Sequence, residues 1–289
     1  MPNTLLTTDG KDSSSTTAGS STGSYLIPRT LFRELVLAVR KNLVFRALAA
    51  RVIGPASIPG SSIDIPLQTP NSMRTYRVAE GAEVPLDVEE YSGFNLKPIK
   101  YGVRIGITRE MIEDSVVDVM AMNMATAGYE LADNEEALIV ATLDTGSGQT
   151  GGTRVANSNA TLPISDITAA MRGIEEENFT PTDMVIGVEV ADDIRNIDSF
   201  LEADKSGVNN PSRSMIGTIF NMRIHVSNNV TATYAYVLDR TAAFLIAEKR
   251  AVTMERYFDA ARDTNFAVAT QRFATRYLRP GAISRIVTT

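Results

Sequence analysis

Apolar positions along this chain change their period several times, and each change marks an element. Between Phe94 and Thr108, Val103, Ile105 and Ile107 alternate with Arg104 and Gly106. That is the period of a strand with one buried face. The polar run Arg74–Glu80 comes before it, so the two read as the outgoing and returning arms of a long hairpin. A returning arm of about 14 residues at ~3.3 Å each reaches roughly 45 Å. A two-stranded ribbon is marginal in water on its own, so this one is expected to lie against something else, above all another copy of the chain. Val116, Met120, Met124, Ala127, Leu131 and Leu138 then recur at helical spacing, with Asp118, Glu130, Asp133 and Glu136 on other faces. They predict one helix of about 28 residues, a rod of ~42 Å and more than twice the usual length. Ser115-Val-Val-Asp118 predicts its opening as a capping box.

Elsewhere the pattern is denser. Residues 28–51 read as a helix carrying Arg29, Arg33, Arg40, Lys41, Arg46 and Arg51 against one acid, Glu34. After the glycine-rich break at 145–153, a helix is expected over 164–177, opened by Ser165, a buried strand over 183–188, and a helix over 191–200. Strands follow at 223–227, 234–238 and 243–247, so helices and strands mix in one α+β lobe over 155–248. Further strands are expected at 252–257 and 266–278. Residues 1–24, rich in Ser, Thr and Gly, lack the apolar surface to fold alone.

Charge adds one contrast. The hairpin tip is acidic through Glu80, Glu83, Asp87, Glu89 and Glu90, whereas the first helix is basic. Patches of opposite sign on separate elements can meet between subunits and set register more than affinity. Arg29, Arg33, Arg40 and Lys41 are therefore paired with the tip acids as candidate inter-subunit contacts. The net charge is −6 over 289 residues, against the basic balance of a protein built to grip DNA. There are no cysteines, hence no disulfide or thiolate metal site. No secretory leader is legible and no 18-residue apolar run exists, so no membrane association is expected.

Motifs that could carry chemistry have weak support. Gly146, Gly148 and Gly151 match a dinucleotide fingerprint in form, but they follow a helix where a strand is needed. Gly152 stands where a P-loop requires lysine. The lone histidine, His225, would have to serve any Ser-His-Asp triad. Asp192-Asp193 and Glu175–Glu177 read as solvated helix faces rather than cation ligands. No catalytic residue, cofactor or metal is expected.

Taken in order, these pieces resemble the major capsid proteins of tailed bacteriophages, with the Hong Kong 97-like fold. The resemblance rests on the Ser/Thr-rich arm, the helix start Ile27-Pro-Arg-Thr-Leu-Phe-Arg-Glu34, and Tyr76–Pro85 with Phe94–Lys100 as the family's extended loop. Ile107–Ser115 is similar to its lead-in to the spine helix, and Phe266–Val287, with Arg279-Pro-Gly-Ala-Ile283, to its closing strands. It implies an α+β fold divided into an N-terminal arm (1–27), an N-terminal helix region (28–53), an extended β-hairpin loop (54–107), a peripheral domain (108–154 and 249–278) and an axial domain (155–248 and 279–289). It further implies a non-enzymatic protein assembling as hexamers and pentamers into an icosahedral virion shell in the host cytoplasm. That shell would enclose double-stranded DNA without reading its sequence, with portal and separate scaffolding or decoration proteins as partners. One branch of the family joins subunits covalently through a loop lysine and an asparagine. Lys97, Lys100 and Asn265 do not match that pattern, and no cross-link is expected. An encapsulin shell, a tail or connector protein and a carboxylate-dependent enzyme are the alternatives.

Overall fold

Two larger sheets, a two-stranded ribbon and one long helix organise the described residues. The computed structural model describes residues 43–69, 73–115, 118–157, 161–196 and 217–288, all belonging to one compact unit, Arg40–Thr289. In chain order, α1 (Phe45–Leu48) and β1 (Arg51–Ile53) lead to β2 (Ile63–Gln68) and β3 (Tyr91–Leu96). Then come β4 (Ile99–Thr108), α2 (Arg109–Asp114) and α3 (Val119–Ser147). The chain continues through β5 (Thr153–Asn157), α4 (Ile164–Glu176), β6 (Asp183–Ile186), α5 (Val188–Arg195), β7 (Thr218–Ile219), β8 (Met222–Val226) and β9 (Tyr234–Leu238). It closes with β10 (Phe244–Asp259), β11 (Thr264–Tyr277) and β12 (Ile283–Thr288).

The first sheet runs β1-β10-β11-β4 and the second β5-β12-β9-β6-β8-β7, while β2 and β3 pair separately. α3, 29 residues long, lies on the first sheet, where Ala127 and Leu131 meet Ala269, Tyr101, Val103 and Ile105. Its second half joins the sheets, since Ile139 and Leu143 pack with Phe45, Tyr236, Phe244 and Ile283. α4 and α5 cover the second sheet through Ile167, Ile174, Val190 and Ile194. The last turn of α3 needs Gly146, where an added Cβ would lie 2.9 Å from Ile283. The glycine run is thus a helix end pressed on a strand, and Gly151 turns there at φ 88°.

Several expectations are corrected. The partner of the returning arm is β2, with Ile65 opposite Phe94, and no strand forms over Arg74–Glu80. The return breaks at Lys97-Pro98, because proline has no N–H to give a ladder. Beyond the break, β4 pairs along its whole length with β11 of the same chain, so this part needs no second copy. Ser115 does not cap the long helix; Asp118 does, accepting from the Ala121 N–H at 2.9 Å. Ser165 does not open α4, whose N-cap is Pro163. α5 starts at Val188 and ends at Arg195. Within 28–51, α1 is a single turn and Arg51 opens a strand; positions 28–42 lie outside the described residues. The expected strands 243–247 and 252–257 are one strand, β10, continuous across position 248.

Candidate assembly surfaces

The loop between β2 and β3 exposes its apolar residues. Leu86 is 92% exposed, and Val84, Val88, Tyr76 and Met73 are also open. The acids stand among them: Glu80, Glu83 and Glu90 are exposed, and their side chains have no hydrogen-bond or ionic partner among the described residues. Asp87 accepts from the Arg74 N–H at 2.6 Å. Glu89 accepts from the Tyr91 hydroxyl at 3.0 Å, which raises the Tyr91 pKa. Of the expected basic partners, Arg29, Arg33, Arg40 and Lys41 all lie outside the described residues, so their pairing with the acids is not brought together here.

A second constellation, which the sequence reading missed, roots the segment entering α1. Arg46 Nη1 donates to both oxygens of Glu135 at 2.9 Å and Nη2 donates to Glu248. Gln271 Nε2 donates to Glu135 at 2.7 Å. Burial alone would lower the Arg46 pKa, but its bond to Glu248 and the field of both carboxylates raise it. Beside it, Glu136 accepts from the Phe45 N–H at 2.7 Å. Expected on a polar face, Glu136 is instead buried. Desolvation pushes its pKa up, the backbone N–H groups of Val44, Phe45 and Arg46 oppose this, and Glu135 adds to it. The signal was legible: Glu135 is four residues from both Leu131 and Ile139, which share the buried face of a helix.

Next along β10, Lys249 Nζ donates to the carbonyls of Ile58, Pro59 (3.2 Å) and Gly60 (2.7 Å). It is the extra residue where Glu248 faces Phe273 and Arg250 faces Arg272, a β-bulge. One bulge therefore holds the entering segment on one side of the sheet and the base of the loop on the other.

The sheet face turned away from α3 is basic. By alternation, the residues opposite in parity to Tyr101, Val103 and Ile105 are Lys100, Gly102, Arg104 and Gly106. Arg104 lies 4.1 Å from the Phe266 ring centroid, a cation–π contact. Elsewhere His225 Nε2 sits 3.0 Å from Asp183 Oδ1. No cluster of His, Asp or Glu among the described residues is arranged to hold a metal ion, and none of their helices is long and apolar enough to cross a membrane.

A family model described as "Phage capsid protein" matches residues 94–286. No curated protein matches the sequence. Among solved structures, the capsid of Cyanophage P-SCSP1u is similar over 100% of this chain and 99% of its own, with TM-score 0.78 and 15% identity. The capsid of a native GTA particle is similar over 94% of this chain and 100% of its own, with TM-score 0.75 and 13% identity. A chain of Mycobacterium phage Che8 covers 90% and 96%, with TM-score 0.72 and 17% identity. These likenesses establish the Hong Kong 97-like α+β fold expected from the sequence.

Proposed function

This chain belongs to the phage capsid protein family, and we propose that its copies assemble as hexamers and pentamers into a closed icosahedral shell around double-stranded DNA. The observation that carries this reading is the loop at 73–90, which leaves Leu86 92% exposed in the single chain and most of its acids unpaired. An exposed apolar edge of this kind marks an interaction surface. A loop from one copy resting on a different surface of the next makes a heterologous contact, and such contacts close into rings when the rotation allows.

In this reading α3, β11 and most of β10 belong to a peripheral domain (108–154 and 249–278) against which β4 pairs, and most of the second sheet belongs to the axial domain (155–248 and 279–289), turned towards the capsomer centre. The arm (1–27) and, within the loop region (54–107), the segment 73–90 reach across subunits. The tip acids Glu80, Glu83, Asp87, Glu89 and Glu90 meet cationic surfaces of neighbours, Arg29, Arg33, Arg40 and Lys41 among them. Many weak contacts, summed by closed symmetry, hold the shell. Portal and separate scaffolding or decoration proteins complete the particle, assembly takes place in the host cytoplasm, and the net charge of −6 leaves the packaged genome free of its wall.

Electron microscopy of the chain expressed alone, and of particles from its native source, tests this. Closed polyhedral shells, filled with DNA in the native source, are expected. Shells filled with protein would make it a cargo compartment instead, and a uniform small oligomer in both preparations would end the shell reading.

A further inference from the structure

The turn through which the chain enters the body rests on a carboxylate that has no cation of its own. Three acids stand below it: Glu135 and Glu136 of α3 and Glu248 of β10, all buried. Among the described residues Arg46 of α1 is the one cation bonded to this group, and it spends Nη1 on Glu135 and Nη2 on Glu248. β11 adds only the neutral Gln271, whose amide donates to Glu135 at 2.7 Å. Asp133, one turn back along α3, is held by the Asn229 amide at 2.8 Å. Arg240, beyond the far end of α1, gives its Nη2 to the Ala47 carbonyl. Glu136 is left to the backbone. Its Oε1 accepts from the Phe45 N–H at 2.7 Å, and its Oε2 is buried with no hydrogen-bond partner. Burial and the neighbouring charge of Glu135 both disfavour the ionised form there. The neutral form keeps what the turn needs, because Oε1 still accepts from Phe45 while the proton sits on the bare Oε2. A buried neutral group short of one bond costs far less than a buried unpaired charge. The N–H groups at the start of α1 work the other way, and the raised pKa of Glu136 records which side wins.

We propose that Glu136 makes this entry turn a proton-operated clasp, shut on α3 when the carboxyl is neutral and loosened when it ionises. The sign follows from which state takes up the proton more readily. In the open turn Glu136 meets water and titrates as an ordinary glutamate, whereas in the shut turn it holds its proton to higher pH. The shut state is therefore fully favoured below the ordinary glutamate range, and that advantage is lost as pH rises through the raised value. Phe45 and Leu48 tie the turn to the core in both states. What the proton changes is how often the backbone of the turn opens, a local event and not unfolding of the body. Residues 1–42 enter through this turn, so its looseness sets how readily that segment is re-placed without disturbing either sheet. The clasp belongs to the single folded chain and stands apart from the shell reading.

Hydrogen exchange of the full, unassembled chain tests this, read by mass spectrometry and corrected for the intrinsic exchange rate at each pH. The peptide carrying residues 43–48 is compared with one from α4 in the same sample. From about pH 8 down to about pH 4.5, near the ordinary glutamate value, wild-type protection of 43–48 is expected to rise about threefold or more relative to α4. Glu136→Gln copies the neutral carboxyl, so its protection should already be high at the alkaline end and show no rise of its own. A turn held by packing alone would give both chains the same profile. The proposal is overturned if the wild-type profile is flat or falls in acid, or if Glu136→Gln keeps the wild-type response. If the variant does not fold, the wild-type profile alone decides.

Discussion

The second sheet and the loop at 73–90 use the same kinds of apolar residue to opposite ends. In β6 and β9, Met184, Ile186, Ala235 and Val237 are all fully buried, roofed by Ile167 and Ile174 of α4. In the loop, Val84 is 69%, Leu86 92% and Val88 68% exposed. One region satisfies its apolar surface inside the chain; the other leaves it exposed, to be covered by a neighbour in the proposed shell. Fold stability and assembly are thereby written in different parts of the molecule, and substitutions should separate them.

The largest effect on the subunit belongs to the buried side. Ile174→Ala should cost roughly 2–5 kcal/mol, since a deleted buried side chain leaves a cavity as well as lost contact, and urea unfolding of the unassembled chain reads it. An unchanged midpoint would contradict the packing of α4 described here.

Glu136→Gln comes next and works with the opposite sign. The folded-state pKa of Glu136 lies above its unfolded value, so the native state holds this proton to higher pH. The ionised group then weakens the fold at neutral pH, and that loss fades as pH falls through the raised folded value towards the unfolded one. The glutamine variant should gain on the order of 1 kcal/mol at neutral pH, and its advantage over wild type should shrink in acid. Thermal melts of both proteins across that range check it; an advantage growing towards acid would refute the assignment.

The smallest effect on the subunit comes from the loop. Leu86→Ser should shift subunit stability by no more than about 0.5 kcal/mol while lowering particle yield several-fold. Light scattering on the variant beside its melting curve separates the two. A loss of stability comparable to that of Ile174→Ala would mean that the loop is part of the core.

Legibility followed the strength of the period. The long helix, expected at about 28 residues, is 29 residues long, because its apolar positions repeat over many turns. The alternation of Val103, Ile105 and Ile107 located β4. Its partner was not legible, because β11 lies more than 150 residues further along and no local signal names it. β2 went unread although Ile63, Ile65 and Leu67 alternate, since Pro66 sits inside the run. Proline is tolerated there because β2 pairs on one side only. The cap was misplaced because Ser115 and Asp118 are both competent and only packing of the helix decides between them. Within the candidate surfaces, the acids of the loop were visible as a cluster. The group of Arg46, Glu135, Glu248 and Gln271 as a whole was not, because it exists only once four distant elements have met.

The bulge at Lys249 carries a consequence for how such a chain can change its length. Glu248 and Lys249 are neighbours of opposite charge that project to opposite sides of one strand, each holding a different part of the molecule. A single codon inserted just ahead of them would move the pair by one position. The carboxylate would then turn towards the three carbonyls of residues 58–60, and the ammonium would take the place of Arg250, opposite Arg272. Two anchors would be lost in one event. Point substitutions at either position remove one anchor at a time, whereas an insertion or deletion at this spot removes both. Drift in length should therefore be absorbed by the loop at 73–90 and the glycine-rich turn after α3, and scarcely at all by the middle of β10.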